Sequence, residues 1–206
     1  MIKYILIDID GTLMDTKGAF YKSLNKTLAH FGIEETHIDT LFGLSADEAL
    51  KVLNLSHNPN IKEYWENSFA VECSKTQLYD GIEEMIRTLH REGIRFYIVT
   101  SRSRCTVIPL LESTFLHDFI LGYVSAEDTV LHKPHPEPIF SALITLNAKA
   151  DEAIYIGDTV WDCIAAKKAG ISFAQAAWNK DASNTSYDII FHHPFEVITF
   201  IGGINK

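Results

Sequence analysis

Short apolar segments alternate with amphipathic helical segments along most of this chain. Residues 3–9 are rich in Ile and are followed by Gly11, a pattern typical of a strand buried on both faces of a parallel sheet. The same reasoning predicts further strands and intervening helices over residues 95–100, 106–115, 119–124, 136–146, 153–157, 160–169, 171–175 and 188–191. Such alternation predicts right-handed crossovers in an open sheet, so the expected fold class is α/β, a doubly wound parallel sheet with a Rossmann-like core.

The long segment between the first two predicted strands has a different pattern. Apolar residues recur there at helical spacing, for example at Phe20, Leu24 and Leu28, and Gly43 marks a turn between helices. We therefore predict an all-helical cap domain inserted into the sheet domain. Its boundaries lie where the strand pattern stops and resumes: residues 1–14 and 80–206 form the α/β core, and residues 15–79 form the cap.

Composition and charge exclude several classes of protein. Of the 206 residues, 47% are hydrophobic and 22% are charged, without long compositional blocks, which excludes a disordered, collagen-like or coiled-coil chain. The apolar segments are too short to cross a bilayer, and Asp8 and Asp10 stand where a signal peptide would be apolar. The net charge of −9 repels the phosphate backbone of a nucleic acid. We expect a cytoplasmic protein that binds neither nucleic acid nor membrane; no pattern indicates its oligomeric state.

Polar residues with potential chemistry gather at the ends of the predicted strands. Asp8 ends the first strand, Thr100 ends the second, and Asp158 comes directly after the strand over residues 153–157. Ligands of an open α/β sheet bind beyond the carboxyl ends of its strands, so we expect these three side chains to converge there. Asp162 is one helical turn beyond Asp158, which brings it to the same crevice.

Four carboxylates would then share one crevice, those of Asp8, Asp10, Asp158 and Asp162. Two like charges about 4 Å apart repel by about 4 kcal/mol at an effective dielectric constant of about 20. A cation must offset this repulsion, and oxygen donors without a His or Cys cluster favour Mg²⁺. Lys133 is the one basic residue placed to join these acids.

Simpler explanations account for these residues singly but not together. A calcium-binding loop beginning at Asp8 would need Gly at its sixth position and Glu at its twelfth, where this chain has Leu13 and Ala19. A helix cap would explain Asp8 or Asp158 taken alone. The order and spacing of the whole set therefore carry the functional interpretation.

Four short motifs in this chain resemble those of a known superfamily. They are DIDGT at residues 8–12, IVTSR around Thr100, HKP around Lys133 and GDTVWD at residues 157–162. In this order, and over the whole chain, they are similar to the motifs of the haloacid dehalogenase superfamily, in its phosphoglycolate phosphatase and β-phosphoglucomutase-like branch with a small helical cap. The resemblance implies a phosphoric monoester hydrolase whose partner is a small phosphorylated metabolite.

The resemblance also implies a role for each matching residue. Asp8 would be the nucleophile that forms an aspartyl phosphate, and Asp10 would be the general acid and base. Thr100 and Lys133 would complete the catalytic set by holding the transferring phosphoryl oxygens. The implied phosphate-binding residues are Gly11, Thr100, Ser101 and Lys133.

A magnesium site is implied in the same way. Mg²⁺ would be held by Asp8, by the backbone carbonyl of Asp10 and by Asp158. Asp162 would be an alternative ligand or would orient Lys133 from beside the metal.

Two other functions remain open on the same scaffold. A sugar phosphomutase would use the same aspartyl phosphate but return the phosphoryl group to a second hydroxyl. The hexose-phosphate mutases of this branch carry a His shortly after the first motif and an Arg in the cap loop, where this chain has Phe20 and Ala46. A catalytically silent binding or regulatory protein is the third hypothesis, although no member of the catalytic set is missing.

The cap sequence limits how a substrate is recognised. Residues 15–79 contain no Arg, so we expect a second anionic group of a substrate to meet a Lys such as Lys22, Lys51 or Lys75, and specificity to be moderate. Arg102 and Arg104 are the Arg residues nearest the predicted cleft, either as contacts or as solvated charges at a helix start.

Overall fold

A six-stranded parallel sheet forms the centre of the protein. The computed structural model describes residues 1–34, 40–178, 187 and 189–205. Its strands are β1 (Tyr4–Ile7), β2 (Arg95–Val99), β3 (Ile120–Val124), β4 (Ala153–Gly157), β5 (Ser172–Ala176) and β6 (Ile190–Phe191). They pair in the order β3-β2-β1-β4-β5-β6, which confirms the predicted doubly wound α/β fold. The last strand was predicted over residues 188–191, of which residue 188 lies outside the described residues.

Helices cover both faces of the sheet. The helices after residue 79 are α4 (Ile82–Arg91), α5 (Arg104–Ser113), α6 (Glu137–Thr145), α7 (Val160–Ala169) and α8 (Pro194–Ile204). Strand residues Ile5, Ile7 and Ile156 pack on one face with helices α4, α5 and α8, while Leu6 and Tyr155 pack on the other with α6 and α7. Because both faces are covered, β1 is a continuous apolar segment rather than an alternating one.

The remaining helices form a unit with its own apolar cluster. They are α1 (Lys17–His30), α2 (Ala46–Val52) and α3 (Pro59–Cys73). Helix α1 presents Phe20, Leu24 and Leu28 on one side, where they meet Trp65 of α3. Helix α2 begins at the Ser45 cap, whose side chain accepts a hydrogen bond from the Glu48 N–H.

The chain crosses twice between the sheet and this helical unit, and the two crossing segments are hydrogen-bonded to each other. The Tyr79 N–H donates to the Leu13 carbonyl at 3.0 Å, and the Asp15 N–H donates to the Gln77 carbonyl at 3.2 Å. The division into a core of residues 1–14 and 80–206 and a cap of residues 15–79 stays a proposal, and these two crossings are where such a cap would hinge. None of the helices in the described ranges is both long and apolar enough to span a bilayer.

Candidate active site

The carboxyl edge of the sheet brings together side chains from distant parts of the chain. Asp8 follows β1, Thr100 follows β2 and Asp158 follows β4. Strand β1 lies between β2 and β4, so the three residues are neighbours at this edge. All three are buried, with 2%, 3% and 8% of their surface exposed. The convergence expected from the strand pattern is therefore present.

A buried lysine connects two of the carboxylates. The Lys133 Nζ lies 3.1 Å from Asp8 Oδ1 and 2.7 Å from Asp162 Oδ1, and it donates to the Tyr155 hydroxyl at 3.1 Å. Burial lowers the pKa of Lys133, but the carboxylates of Asp162 and Asp8 outweigh it and raise that pKa above its ordinary value. Lys133 is therefore a fixed positive charge beside Asp8.

Asp162 uses its oxygens to hold this lysine and the start of α7. Its Oδ2 accepts hydrogen bonds from the Thr159 N–H at 3.0 Å and from the Thr159 hydroxyl, while Oδ1 accepts from Lys133 and from the Tyr155 hydroxyl at 2.7 Å. Burial raises the pKa of Asp162, but Lys133 outweighs it and lowers that pKa below its usual range. Of the two roles expected for Asp162, its contacts favour orienting Lys133 over binding a metal.

Asp8 and Asp158 have the character of metal ligands. Apart from the ion pair with Lys133, Asp8 Oδ1 is a buried oxygen without a well-aligned hydrogen bond to any described residue. Oxygens of Asp8, Asp158 and Asp162 lie within 4.8 Å of one another. Burial raises the pKa of Asp8 to about 7 and that of Asp158 well above its usual range, and the neighbouring carboxylates add to both shifts. Buried oxygen donors that repel one another fit a hard divalent cation such as Mg²⁺.

Gly11 allows the backbone to approach this acidic group. It has a positive φ of 75°, and a Cβ on it would lie 2.1 Å from Asp158 Oδ2. Its N–H donates to the Met14 carbonyl at 2.8 Å. Gly11 is therefore important at this position because it has no side chain that would clash with Asp158.

The Asp10 carboxylate is bound by an arginine and lies outside the group formed by Asp8, Asp158 and Asp162. Arg102 Nε donates to Asp10 Oδ2 at 2.9 Å, its Nη2 donates to Oδ1 at 2.7 Å, and the Thr16 hydroxyl donates to Oδ1 at 2.5 Å. Arg102 is buried, and its guanidinium lies 5.2 Å from the centre of the Phe69 ring. Arg104 instead faces solvent and pairs with Asp128. The two arginines left undecided by the sequence thus have different positions, one in the cleft and one on the surface.

The loop between α1 and α2 contacts the sheet edge. The Ser101 hydroxyl donates to the Gly43 carbonyl at 2.8 Å, and a Cβ on Gly43 would lie 2.7 Å from Thr159 Cγ2. The neighbouring Thr100 hydroxyl accepts a hydrogen bond from the Arg102 N–H at 3.2 Å. Ser101 therefore links the core to the cap loop in this structure, while Thr100 follows the strand next to the one that Asp8 follows.

An open cleft lies between the helical unit and the sheet edge. Asp8, Asp10 and Arg102 line its sheet side. Its cap side is lined by aromatic, aliphatic and charged residues, among them Phe20, Phe42, Leu44, Ala46, Asp47, Lys62, Trp65, Glu66 and Phe69.

The lysines expected to serve this cleft do not line it. Lys22 and Lys75 both pair with Glu72, and Lys51 pairs with Glu48, all as largely exposed lysines. Lys62 lines the cleft instead and was missed by the sequence reasoning. One sequence signal could have identified Lys62. Residues 62, 65, 66 and 69 fall on one face of a helix, and two of them are the aromatic residues Trp65 and Phe69.

Comparisons with known proteins agree with this geometry. A family model described as "Haloacid dehalogenase-like hydrolase" matches residues 5–176. The "Pyrophosphatase PpaX" of Anoxybacillus flavithermus is 33% identical over 181 residues, covering 86% of this chain and 84% of that protein. The "Phosphoglycolate phosphatase" of Yersinia pestis is 28% identical over 181 residues, covering 82% and 78%. A putative phosphoglycolate phosphatase from Lactobacillus plantarum superimposes with a TM-score of 0.86 at 27% identity, covering 97% and 99%.

Proposed function

The chain belongs to the haloacid dehalogenase-like hydrolase family and is a phosphoric monoester hydrolase, and on this premise we propose that it cleaves a small phosphorylated metabolite through an aspartyl phosphate on Asp8. One observation carries the proposal. Asp8 is a buried carboxylate at the foot of an open cleft, with Lys133 3.1 Å from one oxygen. A carboxylate can attack a phosphate dianion when nearby positive charge offsets their repulsion, and Lys133 supplies such charge.

The phosphoryl group would be held by residues around Asp8. Lys133 is fixed by Asp162 and Tyr155, so its ammonium needs little reorganisation to stabilise the charge on a transferring phosphoryl group. The Thr100 hydroxyl accepts from the Arg102 N–H and keeps its own proton to donate to a phosphoryl oxygen.

Asp10 would transfer the protons. It would protonate the leaving oxygen when Asp8 attacks, and then take a proton from the water that hydrolyses the aspartyl phosphate. Both of its oxygens accept hydrogen bonds from Arg102 in this structure. Oδ2 keeps a second lone pair that can carry the transferred proton, while Arg102 positions the carboxylate.

Mg²⁺ would be held by Asp8, Asp158 and the backbone carbonyl of Asp10. Bound there, it would offset the repulsion among the carboxylates and between Asp8 and the phosphate dianion. The positive φ of Gly11 and the absence of a Cβ leave room for Asp158 at this position.

The net charge and the absence of a spanning helix in the described ranges support two broader proposals. We propose that the protein acts in the cytoplasm and that its substrate is a small molecule rather than a nucleic acid. Fractionation of cells producing the full chain tests the location, and recovery of the chain outside the cytoplasmic fraction would contradict it.

The structure offers no support for a sugar phosphomutase, because Phe20 and Ala46 line the cleft where that activity would call for His and Arg.

The phosphatase proposal is tested with the isosteric substitution Asp8→Asn. Release of phosphate from para-nitrophenyl phosphate in the presence of Mg²⁺ should fall by at least ~10³-fold, because an amide cannot replace the attacking carboxylate. Asp118→Asn removes an equal charge from an exposed position and should keep the native rate. Circular dichroism checks that both variants are folded, and substantial turnover by folded Asp8→Asn would exclude the covalent route.

The metal site has a readout that does not depend on turnover. Mg²⁺ should raise the midpoint of thermal unfolding of the native protein, because a ligand that binds the folded state stabilises it. Asp158→Asn should abolish this shift and Asp118→Asn should retain it. An equal Mg²⁺-dependent shift in the Asp158 variant would remove Asp158 from the site.

A further inference from the structure

The cap side of the cleft has a rigid aromatic wall. The Phe20 ring lies edge-on to the rings of Phe42 and Trp65, each at 5.4 Å between ring centres. Phe69 extends this wall toward Arg102. Edge-to-face packing of this kind fixes the rings, and their few exposed atoms give the cleft a preformed apolar edge on this side.

The charged groups beyond this wall are mostly acidic. Lys62 Nζ lies 2.6 Å from Asp47 Oδ2, so its charge is already compensated. Within the part of the chain that the structure describes, the Glu66 carboxylate makes no hydrogen bond or ion pair, although it is half-buried in the lining. Glu127 is close enough to add to the negative potential at Glu66 and Lys62. The outer end of the cleft therefore carries a net negative charge.

The remaining cation of the lining is not available to a second anion. Arg102 donates from Nε and Nη2 to both oxygens of Asp10, so these donors are already bound within the site. Among the residues described, no other Lys or Arg lines the cleft besides Lys62 and Arg102. A carboxylate or second phosphate on a substrate would thus meet the aromatic wall and Glu66 without a Lys or Arg that is not already bound to an acidic residue.

We propose that this cleft selects phosphate monoesters whose leaving group has an apolar or aromatic body and no second anionic group, and that it favours a protonated amine placed to reach Glu66. The inference rests on the proposed phosphatase function and names its substrate class. It separates this chain from the relatives named after phosphoglycolate and pyrophosphate, since each of those compounds carries a second anionic group beside the phosphoryl group that is cleaved. An aromatic wall with a nearby carboxylate is a favourable environment for an ammonium group.

The first experiment compares three aryl phosphates that share a ring and differ in charge: phenyl phosphate, tyramine O-phosphate and 4-(carboxymethyl)phenyl phosphate. The full native chain is assayed with Mg²⁺ by phosphate release. We expect kcat/KM to fall in the order cationic, neutral, anionic, with ~10-fold or more between the cationic and anionic substrates, because one unit charge changes sign near a partly desolvated carboxylate. An anionic substrate turned over as well as the cationic one would overturn the inference.

The second experiment assigns the preference to Glu66. Glu66→Gln should reduce the cationic-to-anionic ratio of kcat/KM by about threefold or more, chiefly by lowering kcat/KM for the cationic substrate. Glu63→Gln is the matched control, because it removes the same charge from the same helix at an exposed position outside the cleft. A ratio that changes equally in both variants would show a general charge effect and would also overturn the inference.

The two levels of the proposal fail in different ways. If none of the three aryl phosphates nor para-nitrophenyl phosphate releases phosphate, the proposed function itself is wrong. If para-nitrophenyl phosphate is hydrolysed in a manner that needs Asp8, but phosphoglycolate or the carboxymethyl compound is preferred, the proposed function stands and the substrate class is wrong.

Discussion

Two ion pairs in this protein have nearly the same length and opposite surroundings. Lys133 and Asp162 meet at 2.7 Å with side chains 1% and 0% exposed, while Lys62 and Asp47 meet at 2.6 Å with side chains 37% and 43% exposed. An exposed pair is screened by water and salt and contributes about 0–1 kcal/mol to stability. A buried pair has lost its hydration, so removing one partner leaves an uncompensated charge in a medium of low polarity.

This difference in burial separates the residues proposed for catalysis from those proposed to select the substrate. Around Lys133, the lysine and Asp162 are each held by several partners, among them Tyr155 of β4 and, for Asp162, Thr159 at the start of α7, and these contacts fix their positions. Around Lys62, the charges lie on helices α2 and α3, outside the sheet, and each has few partners. We expect substitutions at the sheet edge to affect both folding and catalysis, and substitutions on the cap side to change substrate preference with little effect on stability.

The largest effect is expected for Lys133→Met. It leaves Asp8 and Asp162 buried without their cation, which should lower the free energy of unfolding by about 3–5 kcal/mol and abolish phosphate release. Lys62→Met removes the lysine of the exposed pair and should cost about 0–1 kcal/mol. Urea unfolding monitored by circular dichroism, without Mg²⁺, measures both. Equal losses of unfolding free energy in the two variants would show that burial does not distinguish the two ion pairs.

A smaller effect on folding, with a large one on activity, is expected for Gly11→Ala. The new Cβ would displace Asp158, whose Oδ2 is 2.1 Å from that position, and a displacement of about 1 Å at a reacting centre can cost about 10²-fold in rate. Gly32→Ala is the matched control, because Gly32 also has a positive φ, of 67°, but no atom within 4 Å of a Cβ. Both variants should lose similar stability from backbone strain. Phosphate release that fell equally in both would mean that the approach to Asp158 is unimportant.

The smallest effect is expected for Tyr155→Phe. It removes the hydroxyl that donates to Asp162 Oδ1 at 2.7 Å and accepts from Lys133 at 3.1 Å, which should cost about 1–2 kcal/mol of stability. Because Lys133 becomes less firmly oriented, kcat should fall severalfold while KM changes little. Tyr64→Phe removes a hydroxyl from a ring that stacks on His30 and serves as the control. A native kcat in the Tyr155 variant would show that Asp162 alone suffices to orient Lys133.

Much of this architecture could be predicted because it depends on local pattern. Strand β1 is a continuous apolar segment that Asp8 follows, and the helical spacing of Phe20, Leu24 and Leu28 indicated the buried side of α1. The convergence of Asp8, Thr100 and Asp158 followed from a general property of parallel sheets, namely that their strands end at the same edge. These predictions needed no knowledge of which side chains touch.

Other features could not be predicted because they depend on contacts between distant residues. Arg102 and Arg104 stand two positions apart, and yet Arg102 pairs with Asp10, 92 residues away, while Arg104 pairs with Asp128 at the surface. Lys62 was missed for a similar reason, since helical spacing shows which residues share a face but not what that face meets.

The sequence by itself determined the α/β class, the helical segment between the first two strands and the acidic residues at the strand ends. Periodicity and strand ends are properties of neighbouring residues, so they can be recognised before the chain is folded. Only the tertiary structure decided that Asp162 holds Lys133, that Arg102 holds Asp10 and that Lys62, compensated by Asp47, lines the cleft. Burial and charge compensation arise when separate segments pack together, and they decide whether a given Lys or Asp is a fixed part of the site or an ordinary surface charge.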